Sequence, residues 1–388
     1  MKITCKNTNP NFISLVPLSI GEGLGVRSKN TNMNSTNNKT FSAPLSFGEV
    51  PIHREGLRSK SILPKLYQHH YLSTKEAYDL IVSISEEDFS DLQLASILSA
   101  FNMRPLHVQE LIGFRNALLD LALPSQLSQY QAMDLCGTGG DGKNTFNIST
   151  TAAFVVAAAG IPVAKHGNYG VSSISGSSNV LEQLGITFTN DSDVLQKQLE
   201  TTNLCFLHAP LFHPAMKKVA PVRKGMGVKT FFNILGPLVN PAKPIAQTTG
   251  VFNLETARLY HYFLQQNPEF SYTIIHDLAG YDEVSLTDKV KIFSNKGENL
   301  IDWSAHFKTV SEDAIRGGNT LQEAASIFWD ILHQKGSNAQ NQVVIANAAL
   351  AIQTYKKCSL EDAIALAEET LFSGKAQQTL TKFIALAQ

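Results

Sequence analysis

The chain has 388 residues, 43% of them hydrophobic and 17% charged, with a formal net charge of −1. That length suits one large or two unequal domains around a sizeable core. The balanced charge excludes a general attraction to nucleic acid or to an anionic membrane, and no run of about 18 apolar residues offers a transmembrane span.

Residues 1–60 differ in texture from all that follows. "NTNPN", "SKNTNMNSTNNKTFS" and "GEVPIHREG" are rich in Asn, Ser, Thr, Gly and Pro, and two phrases echo: "PLSIGE" returns as "PLSFGE", and "GLGVRSK" as "GLRSK". Too little apolar surface is present to offset the entropy of ordering, so a disordered extension is expected, as an inserted repeat or as sequence upstream of a later start.

From Ile62 the pattern turns globular. "LSTKEAYDLIVSI" has a capping box, Ser73 with Glu76 three residues on, before an apolar stripe. "SDLQLASILSAFNM" and "HVQELIGFRNALLDLALP" repeat the helical stripe, the second stopping at Pro124. Residues 61–125 therefore read as a small all-helical domain, completed by helices around 213–236. Residues 130–388 read as a larger α/β domain.

"AMDLC", a glycine loop, "NISTTAAFVVAAAG" and "IPVAKHG" make a strand, turn, helix and strand, the βαβ unit of a mainly parallel sheet flanked by helices. Further strands are expected at "TNLCFLHA", "IAQTTGVFN" and "YTIIHDL", and the C-terminal segments read as helices. The four cysteines, Cys5, Cys136, Cys205 and Cys358, lack metal-ligand spacing and read as reduced thiols of a cytoplasmic protein.

The loop "GTGGDG" satisfies G-x-G-x-x-G through Gly137, Gly139 and Gly142. Such a turn lets backbone N–H groups approach phosphate oxygens, with a helix N-terminus behind them. A dinucleotide site also wants an acidic residue at the end of the next strand to hold a ribose diol. Lys165 and His166 stand there instead, and a cation favours more phosphate. Thr145, Asn147, Ser149 and Thr150 add donors where one helix cap would suffice, and Lys143 lies among them.

A second polar cluster runs from Lys165 to Ser178 and contains Gly167, Ser172, Ser173 and Ser177. A third is the pair Asp282 and Glu283, residue types that suit Mg²⁺ when a substrate supplies phosphate oxygens. In a fourth segment, Lys217, Lys218, Lys224 and Lys229 read as a solvated face. Arg223 is the exception, a guanidinium able to clamp a carboxylate. His213 reads as a helix start, and His276 as a strand residue near the core.

Taken together, "GTGGDG…TFNIST", "KHGN…VSS.SGSSNVLE.LG", "HPAMK.VAPVRK.MG..T.FN.LGPL.NP" and "YDEVS" closely resemble the anthranilate phosphoribosyltransferase family from about Ile62 onward. The resemblance implies transfer of phosphoribosyl from 5-phosphoribosyl 1-diphosphate to the amine of anthranilate, with Mg²⁺, by a homodimer that needs neither nucleic acid nor membrane. By position it implies that Gly137, Gly140, Asp141, Thr145, Asn147, Ile148, Ser149, Thr150, Lys165, His166, Gly167, Asn168, Ser172, Ser173 and Ser177 contact the sugar diphosphate. Ser149, Asp282 and Glu283 would engage the metal, and Gly137, Asn168 and Arg223 the anthranilate. No covalent residue is implied.

Tyr169 departs from the K-H-G-N-R common in that family. Pyrimidine nucleoside phosphorylases share the implied fold but differ at the loop, reading "KHSTGG" where "DLCGTGGDG" stands. A nucleic-acid-binding relative on the same scaffold would need a basic excess that this chain lacks.

Overall fold

The computed structural model describes residues 59–86, 88–170 and 175–387. Of the expected disordered extension, residues 1–58 lie outside the described residues, whereas Ser59 and Lys60 already belong to the first helix.

Four helices open the described chain: α1 (Ser59–Tyr67), α2 (Thr74–Ser85), α3 (Asp91–Asn102) and α4 (Val108–Asp120). The expected capping box starts α2, where the Ser73 hydroxyl accepts from the Glu76 N–H and the Glu76 carboxylate accepts from the Ser73 N–H. A Ser90–Gln93 box starts α3 in the same way. Their apolar stripes meet in one core, with Leu80, Ile81, Ile97, Leu98, Leu111 and Phe114 each at most 1% exposed.

The α/β part then runs β1 (Met133–Gly137), α5 (Ile148–Ala158), β2 (Val163–Gly167), α6 (Ser177–Gln183), α7 (Ser192–Thr202), β3 (Leu204–His208), α8 (Ala209–Phe212) and α9 (Met216–Met226). It continues with β4 (Ala246–Gly250), α10 (Leu254–Leu264), β5 (Ser271–Asp277), β6 (Val290–Ser294) and β7 (Gly297–Ile301). The helices α11 (Leu321–Leu332), α12 (Asn338–Lys356), α13 (Leu360–Phe372) and α14 (Lys375–Ala387) complete it. The seven strands form one sheet in the order β3-β2-β1-β4-β5-β6-β7. The first five are parallel, and β6 and β7 add an antiparallel hairpin at one edge that the sequence pattern does not announce.

Two large cores, and a smaller one of β2, β3 and α7 residues, cover the sheet. On one side the largely apolar α5 and the buried stretch 343–352 of α12 pack with α11, α13 and α14. On the other, α10 and the inner faces of β5 and β6 join the core of α1–α4, together with Val219 and Val222 of α9 and Phe231, Phe232 and Leu235 just beyond it. From β1 the chain winds outward through β2 and β3, then returns to β1's other side for β4 and β5. The carboxyl ends of β1 and β4 therefore flank a switch point, where an open α/β sheet leaves a crevice.

Candidate active site

Three strands end on glycine at this crevice: Gly137 on β1, Gly167 on β2 and Gly250 on β4. A β-carbon on Gly250 would overlap the Asp282 carbonyl, so only glycine lets the acidic segment lie across the strand end. The Thr138 N–H donates to the Gly250 carbonyl at 2.9 Å, carrying the ladder one step past β1. Gly139, Gly140 and Gly142 then all take left-handed backbone with φ from +62° to +79°, which folds the loop back toward α5.

The loop already selects negative oxygens. The Gly139 N–H donates to the Asp282 carboxylate at 2.8 Å, and the Ser149 N–H, at the start of α5, to the Glu283 carboxylate at 2.8 Å. Asn147 occupies the N-cap position of α5 but makes no capping bond. Its amide instead donates to the Ser175 carbonyl (3.3 Å) and accepts from the Ser175 hydroxyl (3.1 Å). The simple-capping explanation of the hydroxyl and amide run thus fails at Asn147, which ties the first loop to the second.

Burial raises the carboxyl pKa of both Asp282 and Glu283, with Asp141 adding to the effect on Asp282 and Asp282 to that on Glu283. Crowded, half-dehydrated carboxylates of this kind are stabilised by a cation. No three His, Cys, Asp or Glu side chains gather into a metal cage among the described residues. An open pair fits Mg²⁺ better than a closed cage would, because that ion takes one or two carboxylates and completes its shell with water and phosphate.

Lys165 crosses beneath the loop, 3% exposed, donating to the Leu135 carbonyl and, at 3.4 Å, to the Ser149 hydroxyl. Burial lowers its pKa, and Asp134 opposes that fall. Asp134 is itself fully buried and pushed up to about 6 by burial. It accepts from the His166 N–H (3.2 Å) and from the Asn240 amide (2.9 Å), which also donates to the Ala164 carbonyl. One buried carboxylate therefore fixes the end of β2 and balances the lysine beside it.

The second loop is closed at its base by Asn179, whose side-chain oxygen accepts from the N–H groups of Gly170 and Gly176 at 2.9 Å each. Ser172 and Ser173 lie outside the described residues. Tyr169 donates to Glu182 (3.2 Å) and packs edge-on against His208, so the position of the family's arginine carries no cation.

The opposite wall comes from α9 and the turns after it. The Arg223 guanidinium is half-buried, 5.5 Å over the Phe232 ring, and donates to the Asn233 side chain at 3.1 Å. It pairs with no carboxylate among the described residues. His166 bonds the Gly236 carbonyl through Nδ1 (3.1 Å), leaving Nε2 buried without a partner. Its ring lies 5.2 Å from that of His213. Burial holds the two rings neutral, with pKa values lowered to about 3 and about 4.

These walls enclose a cavity of about 550 Å³. Every described residue expected to bind the sugar diphosphate, the metal or anthranilate lines it, with one exception. Ile148 is 1% exposed in the core and spends its N–H on the Phe146 carbonyl at 2.7 Å. The cavity also recruits His213, which is more than a helix start, and two lysines of the expected solvated face, Lys217 and Lys229, which stay exposed at its edge. His276 is buried and bonded to the Val251 carbonyl, as its strand position suggested.

Comparison with known proteins places this architecture. Profiles of the glycosyl transferase family match the chain over residues 129–377 for its a/b domain and 60–122 for its helical bundle domain. Fold and cleft thus define a two-domain glycosyl transferase. The anthranilate phosphoribosyltransferase of Flavobacterium johnsoniae is 53% identical over 326 residues, 83% of this chain and 98% of that protein. That of Bacteroides thetaiotaomicron is 48% identical over 329 residues, 84% and 99% of the two chains. The crystal structure of the Thermus thermophilus enzyme superposes with a TM-score of 0.78 at 32% identity, covering 84% of this chain and 98% of that one. The Saccharomyces cerevisiae enzyme in complex with PRPP and Mg gives 0.76 at 25% identity, over 85% and 97%. The chain belongs to the anthranilate phosphoribosyltransferase family.

Proposed function

We infer that the cleft transfers the phosphoribosyl group of 5-phosphoribosyl 1-diphosphate to the amine of anthranilate, giving N-(5-phosphoribosyl)anthranilate and diphosphate, a step of tryptophan biosynthesis. The observation that carries this is the union, in one cavity, of an anion-selecting glycine loop with an arginine that has no carboxylate partner among the described residues.

Cleaving the C1–oxygen bond places negative charge on the departing diphosphate. The positively biased start of α5, the glycine loop and the Lys165 ammonium line the cleft where that charge grows and stabilise it. Asp282, Glu283 and the Ser149 hydroxyl would hold Mg²⁺, which when bound supplies further neutralisation of the diphosphate. Arg223, steadied by Asn233, faces the anthranilate carboxylate with its two-pronged donor set. Gly137 and Asn168 at the loop ends, with the neutral His166 and His213, form the rest of the acceptor wall.

No side chain has to act as nucleophile. The Cys136 thiol, the one cysteine among the described residues of the cavity wall, is pushed well up by burial and lies 3.7 Å from the Thr249 hydroxyl. Attack therefore falls to the anthranilate amine. The homodimer belongs to this reading and is supported by exposed Tyr67, Leu92 and Met103 on the helical bundle. The cytoplasmic setting is supported by the free thiols of Cys136, Cys205 and Cys358.

Anthranilate fluorescence tests the proposal directly. It should decay only when the full chain, the sugar diphosphate and Mg²⁺ are all present, and should stop on chelation. Steady fluorescence with all three present would overturn the assignment.

A further inference from the structure

Lys229 sits between α9 and the turn that carries Asn233, on the helical-bundle wall. Its ammonium nevertheless crosses to the glycine loop, where it donates to the Gly140 carbonyl and lies 4.3 Å from the centre of the Phe252 ring. A β-carbon on Gly140 would come within 2.9 Å of that ammonium, so glycine keeps the approach open. Lys229 is held at its backbone from the bundle, because the Asn102 amide at the end of α3 donates to its carbonyl at 2.8 Å. Phe231 and Phe232, two and three residues on, are buried in the bundle core.

Among the cations near the loop, Lys143 is committed to Glu312 at 2.9 Å. Lys165 and Lys229 form no ion pair among the described residues. A carbonyl is a weaker partner for an ammonium than a phosphate oxygen is. We propose that Lys229 is a second cation for the diphosphate, delivered to the glycine loop from the helical bundle opposite Lys165. This deepens the proposed function, since it rests on that loop being the diphosphate site.

The placement also links the two substrates. Asn233 accepts from the Arg223 guanidinium and from the Thr230 N–H, next to Lys229, at 3.1 and 2.9 Å. One short turn thus carries the ammonium for the leaving group and, through Asn233, holds the α9 guanidinium for the acceptor's carboxylate.

Calorimetric titration of the full chain with inorganic diphosphate and Mg²⁺ tests this. The variants are Lys229→Met, Lys229→Gln and Lys229→Arg, with Lys165→Met as reference. Loss of one charge-assisted contact should weaken diphosphate binding about tenfold in the Met and Gln variants. The Arg variant should stay within about threefold of the parent, since it keeps the charge. The KM for anthranilate should move less than about twofold in all three, because Arg223 keeps its own partner. Gln still has a donor for the Gly140 carbonyl but no charge. Parent-like diphosphate affinity in Lys229→Gln would reduce Lys229 to a loop tether and overturn the inference. If Lys165→Met weakens binding while Lys229→Met does not, this inference falls and the proposed function stands. If the parent chain binds no diphosphate, the reading of the glycine loop fails first.

Discussion

The two walls of the cavity are built by different means. The donor wall is mostly backbone: strand ends, a left-handed glycine turn and the Ser149 N–H in the first turn of α5, with Lys165, Asp134 and the acidic pair packed behind or against them. The acceptor wall is mostly side chain: Arg223 and Phe232, mounted on the bundle core, with His166 from the end of β2 and His213 after α8. A diphosphate presents many equivalent oxygens, which a rigid set of N–H groups serves well. A small aromatic acid presents one carboxylate and one ring, which a few side chains can select. The difference teaches that donor recognition here depends on backbone geometry, and acceptor recognition on the identity of particular side chains.

The largest effect is expected where the donor wall relies on a single buried charge. Lys165→Met should lower kcat about 10²–10³-fold, because charge on the leaving group then grows against fewer preorganised donors. Steady-state rates at saturating substrate check this, and an unchanged kcat would show that the backbone alone suffices.

Glycine replacements probe the backbone dependence itself. Gly250→Ala forces a β-carbon into the Asp282 carbonyl and should cost about 3 kcal/mol of stability, with donor binding lost in parallel. Gly225→Ala, in α9 with nothing within 4 Å of the added carbon, should stabilise the chain by about 0.5–1 kcal/mol. Urea unfolding of both variants measures the contrast. Equal effects would erase the distinction between the walls.

Arg223→Ala should raise the KM for anthranilate about thirtyfold and that for the sugar diphosphate less than about twofold, as expected for one lost charged anchor worth about 2 kcal/mol. Equal rises would remove its carboxylate role.

The smallest effect concerns pH and the two histidines. His166 and His213 are neutral when folded, with pKa values near 3 and 4, and rise to the ordinary 6.5 on unfolding. The unfolded chain therefore binds more protons below pH 6.5. Their contribution is complete above that pH and is lost as pH falls toward 4 and 3, at about 1.4 kcal/mol per pH unit for each ring. His213→Asn should flatten the stability–pH slope between pH 6 and 4.5 by about that amount. A slope equal to the parent's would mean that the ring is not held neutral.

Much of the donor wall was legible because its elements are contiguous. A strand, glycine turn, helix and strand place "GTGGDG", Ser149 and Lys165 together through local connectivity, and Lys165 in place of an acid turned the reading away from a dinucleotide. Asp282 and Glu283 were legible only as a pair of suitable chemistry, and their seat across Gly250 was not. A glycine ending "IAQTTG" was the available signal, but without the strand order nothing says that residue 282 returns to it. The β6–β7 hairpin escaped because β7, "GENLI", is an edge strand with three exposed central residues and no apolar alternation. Lys229 escaped for the opposite reason. Set among Lys217, Lys218 and Lys224, it shares their spacing and composition, and only the turn after α9 aims it inward.

By itself, then, the sequence determined the helical bundle, the βαβ start of the sheet, the anion-binding chemistry of the glycine loop and the family resemblance. Those properties depend on residues near one another along the chain, where capping, periodicity and turn chemistry act directly. Tertiary structure alone decided that β4 returns beside β1, that Asp282 and Glu283 occupy the loop's N–H groups, and that Ile148 belongs to the core. It also decided that Lys229 and His213 face the cavity. Those placements join residues tens to more than a hundred positions apart, and packing of the two cores against the sheet sets them.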